Sequence, residues 1–274
     1  MARMKPGHVP LERALSKLGL ASRTEAQSWI KAGRLAVNGL VVTNPLAPVV
    51  PEKIRITLDG ALLTTATPTG MVLAFHKPRG CVTTTRDEKG RTTVFDVLQR
   101  SKFWTHSPAA VKTRRWLTVG RLDLATTGLL LFTDDSKLAD WLTAPATGVP
   151  RRYIVTVRGL FTEEDSMKTL EGIRDQDDLL QARGCSILKA SPRESHVEIS
   201  LTEGKNREIR RIMETLGFPV TRLKRVAYGA LVLGDLPVGE GREVPHQELL
   251  EAFPGISVLL SRNKLLSSGR RGCK

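Results

Sequence analysis

The sequence has few cysteines, no long apolar run and a shortage of acids. Its three cysteines, Cys81, Cys185 and Cys273, are far apart and odd in number, so they suggest neither a disulfide framework nor a zinc-binding spacing. The apolar runs fall short of the roughly 18 residues that a membrane span needs. The N-terminus, MARMKPGHVPLER, has no apolar signal-peptide core. We therefore expect a cytoplasmic protein that makes no membrane contact.

Basic residues outnumber acidic ones in the chain as a whole. The 274 residues include 28 Asp and Glu against 42 Lys and Arg, which gives a formal net charge of +14. A positive field of this size favours a polyanionic partner, and nucleic acid is the commonest one. On composition alone, a basic protein without such a partner remains the alternative.

Clustered metal ligands and nucleotide-binding loops are also missing. The sequence has no Walker loop, no G-x-G-x-x-G after a strand and no elbow-type serine, so it predicts neither a bound nucleotide nor a Ser–His–Asp enzyme. The histidines have no cysteine or carboxylate at ligand spacing, and we expect no metal and no cofactor. They are His8, His76, His106, His196 and His246.

The pattern of apolar residues divides the chain into two parts. Residues 11–32 have the periodicity of two amphipathic helices, and the Asn38-Gly39 dipeptide that follows predicts a hairpin. Later strands come as neighbouring pairs, which favours a mixed, largely antiparallel sheet and an α+β fold. We expect an irregular polar loop over 101–115. The predicted segments are a small helix-led domain over 9–60, a linker over 61–70, a large domain over 71–255 and a basic, disordered tail over 262–274.

One carboxylate stands out in VGRLDLATTGLLLFTDD, residues 119–135. Asp123 follows a Gly-Arg-Leu turn and precedes Leu129–Phe132, a strand that would give a dry floor. A carboxylate in a dry cleft needs a cation nearby to stay ionised. The alternative is an ordinary turn or helix-capping aspartate, which spacing alone favours.

A second constellation is LTEGKNREIRRIMETLG, residues 201–217. Arg207, Arg210 and Arg211 stand at the start of a predicted helix, where positive charge opposes the helix dipole. An anion should offset that cost, either RNA phosphate or the carboxylate of Asp123. The competing interpretation is a basic helix face that contacts only solvent. The further basic residues of TRLKRV, on the next strand, make this interpretation less favourable.

These motifs, in this order, resemble the RsuA/RluB branch of the pseudouridine synthases. The resemblance rests on VGRLDLATTGLLLFTDD, RRYIVTV, EGKNREIRRIMETLG and RLKRVAYG, and on HKPRGCVTTTRDEKGRTTVFDVL, whose EKGRTTVFD piece is closer to the RluB type. RALSKLGLASRTEAQSWIKAGRLAVNG resembles the small RNA-binding module of a small-subunit ribosomal protein and of bacterial tyrosyl-tRNA synthetase. The similarity runs from about residue 10 to 245 and implies a pseudouridine synthase domain behind an RNA-binding domain.

The resemblance implies cofactor-free isomerisation of a uridine in ribosomal RNA, with roles for particular residues. Asp123 matches the essential carboxylate, which either attacks the ribose or serves a route through a glycal. Tyr153 matches the tyrosine that stacks on the target base, and Leu223 an apolar pocket residue. Arg210 matches the arginine that pairs with the catalytic aspartate, whereas Arg121 is expected to support the turn or meet RNA. Arg151 stands where the family usually has lysine, which keeps the charge but not the shape.

The substrate and partner follow from the same resemblance. The RluB-like features predict 23S rRNA, and the RsuA-like reaction on 16S rRNA is the alternative. One alternative is a non-catalytic RNA-binding or ribosome-assembly protein on the same fold, and the intact Asp123, Tyr153 and Arg210 disfavour it. Another is a free-standing binding module, which the arginines beside a polar cleft disfavour. We expect a monomer bound to ribosomal RNA or a ribosomal subunit precursor. The predicted RNA contacts are Arg13, Arg23, Lys31, Arg34, Lys77, Arg79, Arg114, Arg115, Arg207 and Arg211.

Overall fold

The computed structural model describes residues 7–18, 20–21, 23–63, 70–85 and 87–256. The chain divides into two compact units, with the main boundary between Thr69 and Gly70. Both units mix helices with sheets, which confirms the predicted α+β class.

The N-terminal unit contains two helices and short strands. Its elements are β1 (Val9–Pro10), α1 (Leu11–Lys17), α2 (Arg23–Lys31), β2 (Leu35–Val37), β3 (Leu40–Val41), β4 (Pro48–Val49), β5 (Ile56–Leu58) and β6 (Ala61–Leu62). Strands β2, β3, β5 and β6 form a sheet in the order β3-β2-β5-β6, and β1 pairs with β4. The apolar faces of the two helices pack on this sheet through Leu11, Leu15, Ala26, Ile30 and Leu35, which are fully buried.

The predicted Asn-Gly hairpin is confirmed. Asn38 and Gly39 have φ of 51° and 87°, and they connect the paired residues Val37 and Leu40. Two consecutive left-handed residues match the twist of adjacent antiparallel strands, and Asn followed by Gly adopts them at little cost.

The larger unit is built on a nine-stranded sheet. Its first half contains β7 (Val72–Lys77), α3 (Val94–Arg100), α4 (Lys102–His106), α5 (Ala109–Lys112), β8 (Leu117–Val119), β9 (Thr127–Thr133), α6 (Ser136–Thr143) and β10 (Arg151–Arg158). Its second half contains α7 (Glu163–Glu171), β11 (Ile173–Asp175), β12 (Asp178–Leu180), β13 (Gly184–Lys189), β14 (Glu194–Leu201), α8 (Glu208–Thr215), β15 (Val220–Tyr228), β16 (Leu231–Val232), β17 (Gly241–Val244) and α9 (His246–Ala252).

The strand order brings two distant segments together at the middle of the sheet. The order is β13-β14-β10-β15-β9-β7-β17, with β16 beside β15 and β8 beside β9. Among the named strands of the described chain, only β9 and β15 pair in parallel; the other pairings are antiparallel. The parallel pair joins Lys224 to Thr127 and Arg225 to Gly128, directly after the Asp123 turn.

Separate apolar clusters cover the parts of this sheet. Residues of α6 and α9 bury one cluster with β7 and β9, including Leu138, Leu142 and Phe253. Helix α3 and Trp116 bury a second one, and α8 packs a third against β10 and β14 through Ile212 and Met213. The helices therefore fix the strand ends that carry the predicted site.

Two of the segments predicted from the sequence differ from the structure. Residues 101–115 contain α4 and α5 instead of an irregular loop, because Phe103, Val111 and Trp116 pack on the core while their neighbours are polar. The predicted linker starts too early, since Ala61 and Leu62 pair with β5 as an edge strand. Residues 64–69 of that linker and the predicted tail 262–274 lie outside the described residues.

Candidate active site

The Asp123 turn, which connects β8 to β9, is fixed by a buried lysine. Lys77, at the end of β7, is 0% exposed. Its ammonium donates to the backbone oxygens of Pro78, Asp123 and Thr126 at 3.1, 3.0 and 2.8 Å. These bonds satisfy a group that would be costly to bury alone, and burial lowers the pKa of Lys77.

Lys77 is therefore not the RNA contact that the sequence predicts. The basic turn HKPRG looks exposed in the sequence, but its first basic side chain points inward from a strand that is buried along its whole length. The lysine holds the backbone on which Asp123 sits.

A threonine and a backbone amide hold the same turn from a second side. The Thr83 hydroxyl donates to the Leu122 oxygen at 2.7 Å and accepts from the Leu122 amide at 3.2 Å. The Gly80 amide donates to the Leu124 oxygen at 2.8 Å. Because several independent bonds define its backbone, the turn presents Asp123 at a set position.

Gly128 permits the close approach of β9 to β15. Its φ is 105°, and a Cβ at this position would lie 2.2 Å from the backbone oxygen of Arg225. No other residue type fits that contact without moving a strand. This glycine therefore determines how near the Asp123 turn lies to β15.

The turn opens into a cavity of about 290 Å³. Four of the predicted site residues, Asp123, Tyr153, Arg121 and Leu223, line it together. The first lies on the turn, the second on β10 and the last on β15. The Asp123 side chain is 42% exposed, so the predicted dry cleft is open to water in this structure.

The arginine nearest to Asp123 is not the predicted one. The guanidinium of Arg207 lies 3.9 Å from the Asp123 carboxylate and also 3.9 Å from that of Glu214, and its side chain is 50% exposed. Arg210 is buried within α8, its Nε has no hydrogen-bond partner in the described structure, and it does not line the cavity. Burial lowers the pKa of Arg210 and the neighbouring Arg207 lowers it further, whereas Asp123 opposes that shift. The structure thus places two cations near the carboxylate, with Arg207 closer.

Arg207 has an unusual backbone. It precedes α8 with φ 49° and ψ 31°, the left-handed region that an arginine rarely occupies. Such a conformation persists only where the surroundings impose it. The sequence carries no signal for this feature, because the left-handed position in EGKNREIRR is an arginine and not the nearby glycine.

A cluster of stacked side chains, which sequence reasoning missed, forms the far wall of the cavity. Arg151 and Arg225 each place a guanidinium carbon 5.1 Å from the centroid of the Tyr228 ring, within cation–π range. Arg151 also donates to the Tyr228 hydroxyl at 3.0 Å and to the Thr202 oxygen at 2.6 Å. Arg225 donates to the Leu129 oxygen at 2.6 Å. The run RLKRVAYG, with β periodicity, was the available signal for this cluster.

The other predicted RNA contacts fall into two groups. Exposed side chains remain available to a partner at Arg13, Arg23, Lys31 and Arg79. Arginines held by acids are Arg34 with Asp59, Arg114 with Asp134 at 2.5 Å, and Arg211 with Asp175 and Asp178 at 2.5 and 2.8 Å. Arg115 is partly buried. The paired arginines are therefore engaged by acids of their own unit.

The described residues offer neither a metal site nor a membrane-spanning helix. Within the described ranges, no group of three His, Cys, Asp or Glu residues could hold a metal ion. No helix in the same ranges has the length and apolar character to cross a membrane.

Comparisons with known proteins agree with both units. Residues 71–215 match the family described as RNA pseudouridylate synthase, and residues 9–52 match the S4 domain. The chain is 39% identical over 253 residues to the ribosomal large subunit pseudouridine synthase B of Pseudomonas aeruginosa, covering 88% of this chain and 62% of that protein. It is 35% identical over 234 residues to the Escherichia coli protein of the same name, covering 84% of this chain and 75% of that protein.

A solved structure shows the same fold. The crystal structure of a pseudouridylate synthase superposes with a TM-score of 0.60 at 25% identity, covering 89% of this chain and 99% of that one. The matched residues include the Asp123 turn, β10 and α8, which build the cavity. This chain belongs to the RNA pseudouridylate synthase family and carries an S4 domain ahead of its synthase domain.

Proposed function

We propose that the protein converts a uridine of 23S ribosomal RNA, in the large subunit, into pseudouridine, with Asp123 as the catalytic carboxylate. The observation that carries this proposal is a cavity in which Asp123, on a rigidly held turn, faces the same space as Tyr153 and Leu223. The names of the relatives, which are large-subunit enzymes, support the choice of RNA.

The reaction rearranges one nucleotide. The bond between N1 of uracil and C1′ of ribose breaks, and a bond between C5 and C1′ forms. The hydrogen of C5 leaves as a proton and N1 gains one, so the reaction consumes no oxidant or second substrate. Asp123 either attacks C1′ as a nucleophile or assists a route through a glycal. No cofactor is required by this balance.

Tyr153 and Leu223 supply the surfaces for the base. Both line the cavity, and their strands pair with each other through Tyr153 with Arg225 and Val155 with Leu223. An aromatic ring can stack on a uracil that has left its helix. We assign the stacking to Tyr153, with a further role in moving a ribose proton, and the apolar contact to Leu223.

The charge around Asp123 suits a site that closes on its substrate. Its carboxylate is partly exposed in the free protein, so a bound nucleotide would displace water from it. Removal of water strengthens the attraction between the carboxylate and nearby cations. Arg207 and the buried Arg210 are the two groups that offset this desolvation.

Binding the RNA requires a source of free energy. Extruding the base from a helix costs a few kcal/mol. Phosphate contacts from exposed basic side chains can offset this cost, and they make the affinity depend on salt. We assign such contacts to Arg13, Arg23 and Lys31 of the S4 domain and to Arg79 and Arg121 of the synthase domain, which are exposed. We propose that the protein acts as a monomer in the cytoplasm, on ribosomal RNA or a subunit precursor.

The test compares ribosomal RNA from cells with and without the gene. Carbodiimide labelling and primer-extension stops locate each pseudouridine. We expect one stop in large-subunit RNA to disappear without the gene and to return with the wild type. Asp123→Asn should not restore it, because the amide removes the negative charge, and the rate in vitro should fall by on the order of a thousandfold or more.

Other outcomes would change the proposal in defined ways. Loss of a stop in 16S rRNA would keep the chemistry and overturn the choice of substrate. No lost stop would favour a non-catalytic RNA-binding role. Since Asp123 is partly exposed, its amide variant should melt at the wild-type temperature, which separates lost chemistry from lost folding.

A further inference from the structure

One buried acid at the cavity has no place in the mechanism above. Glu208, the first residue of α8, is 3% exposed and lines the cavity. One of its carboxyl oxygens, Oε2, accepts from the Lys205 amide at 3.3 Å, and the other has no hydrogen-bond partner within the described structure. A buried carboxyl group with a single hydrogen bond is costly, so its retention calls for an explanation.

The contacts of Glu208 close a short turn. Its backbone amide donates to the Lys205 oxygen at 3.3 Å, while its side chain accepts from the Lys205 amide. Glu208 thus closes the turn 205–208 with two hydrogen bonds to Lys205, one from its backbone and one through its side chain. Arg207, in the left-handed conformation, lies inside this turn.

The opposite end of the same segment is held by another side chain. Arg151 donates to the Thr202 oxygen at 2.6 Å. With both ends tied, the segment 202–208 carries Arg207 to 3.9 Å from Asp123. Without the Glu208 bond, an exposed arginine has no evident reason to keep a left-handed backbone.

From these contacts we infer that Glu208 is a positioning residue, whose side-chain hydrogen bond to the Lys205 amide holds Arg207 near Asp123. The inference rests on the proposed function, in which Asp123 is the catalytic carboxylate. The role needs an acceptor for the Lys205 amide and no negative charge. Burial, with the nearby Glu203, raises the pKa of Glu208, while Lys205 and Arg211 oppose that shift. A neutral acid with a free oxygen is also less costly to bury than a carboxylate.

Two substitutions separate the hydrogen bond from the charge. Glu208→Gln keeps an acceptor oxygen in place, and Glu208→Met fills a similar volume without one. We expect single-turnover rates for Glu208→Gln within a factor of about three of the wild type, and a drop of about tenfold for Glu208→Met, because small misplacements near reacting groups are costly. The dissociation constant for RNA should change by less than about twofold, since Arg207 contacts Asp123 within the protein.

The rate is measured by tritium released from a large-subunit RNA fragment carrying tritium at uridine C5. Glu171→Met, an exposed change on α7 in the same domain, is the control for a Glu-to-Met substitution. Each variant is also combined with Arg207→Ala. If Glu208 acts through Arg207, Glu208→Met should cause no further loss in the Arg207→Ala background.

Three kinetic results would each overturn the inference. The first is that Glu208→Met is as fast as the wild type. The second is that Glu208→Gln is as slow as Glu208→Met. The third is that Glu208→Met slows the Arg207→Ala protein by the same factor as it slows the wild type. Amide hydrogen exchange at Lys205 gives a readout that does not depend on activity. Equal protection of that amide in the wild type and in Glu208→Met would sink the inference even if the variant is slow.

The same assay separates this inference from the proposed function. A wild-type protein that releases no tritium from any ribosomal RNA defeats the function itself. A wild type that does so, with unaffected Glu208 variants, defeats only the positioning role. If Glu208→Met melts far below the wild type, Glu208→Gln decides: its Lys205 amide should exchange as slowly as in the wild type, and faster exchange at an unchanged rate of catalysis would overturn the inference.

Discussion

The two segments that carry charge into the cavity are held in different ways. The Asp123 turn is fixed by a fully buried lysine, a threonine hydroxyl and a glycine amide, all bonded to its backbone. The segment 202–208 is tied by side chains, through Arg151 and Glu208 near its ends and through the Lys205 ammonium, which donates to the Leu179 oxygen at 2.7 Å. Its arginine reaches the carboxylate at 3.9 Å from a half-exposed position.

The difference separates two requirements of one site. In the reaction proposed above, the carboxylate has to meet a particular atom of the ribose, and its backbone is defined by several short bonds. The arginine has to balance charge, which acts over a longer distance and tolerates a looser hold. We therefore expect a substitution of a residue that holds the Asp123 turn to reduce stability and rate more than a substitution of a residue that holds the segment 202–208.

The largest effect should come from removing the lysine under the Asp123 turn. Lys77→Met leaves three backbone oxygens without their donor, and we expect the free energy of unfolding to fall by about 2–4 kcal/mol. The turnover rate should fall by about a hundredfold, because the turn shifts relative to the substrate. Urea unfolding and the tritium assay measure the two effects.

Lys189→Met is the control for that substitution, since this lysine is exposed at the edge strand β13. It should leave both stability and rate near the wild type. Equal stability of the two variants would show that the buried ammonium does not support the turn.

A smaller effect should follow from Arg151→Lys. Lysine cannot bond the Thr202 oxygen and the Tyr228 hydroxyl in the same geometry, and it loses the planar stack on the ring. We expect a loss of about 1–2 kcal/mol in unfolding free energy with activity largely retained. Arg152→Lys, on the neighbouring and more exposed residue, is the matched control. A larger loss in the control would contradict the assignment.

The smallest effect should be a dependence of stability on pH at Glu208. Its folded pKa is raised by burial and by Glu203, and opposed by Lys205 and Arg211. An acid with a raised folded pKa stabilises the fold while it is neutral, and that contribution is lost as the pH rises from its unfolded value of about 4.3 through the folded pKa. The melting temperature of Glu208→Gln should therefore rise relative to that of the wild type as the pH increases across this window.

Thermal melts of both proteins from acidic to neutral pH measure this difference. Glu171→Gln, at an exposed glutamate, should show no such trend. A constant difference between Glu208→Gln and the wild type at every pH would mean that folding leaves the pKa of Glu208 unchanged.

The sequence predicted the elements whose signal is local. Asn38 and Gly39 predict their hairpin because the dipeptide itself prefers the left-handed region. The alternation and pairing of strands predict a largely antiparallel sheet, and the motif around Asp123 predicts the residue that lines the cavity.

What the sequence could not show depends on contacts between distant segments. Lys77 looks like a surface residue until β7 is seen buried along its length. Arg207 and Arg210 differ by three positions, and only the left-handed turn before α8 brings the first nearer to Asp123. The stack of Arg151, Tyr228 and Arg225 joins two strands, so no single stretch of sequence records it.

The parallel pairing of β9 with β15 also sets the order in which the site can be assembled. The bond from Arg225 to Leu129 spans 96 positions of the chain, and the strands and helices between them have to fold before it closes. Contacts this distant along a chain form late, because a long loop must first be ordered. During synthesis from the N-terminus, Asp123 leaves the ribosome long before the wall that faces it. A nascent chain that ends within α8 would thus hold the carboxylate on its turn without a cavity to receive a base.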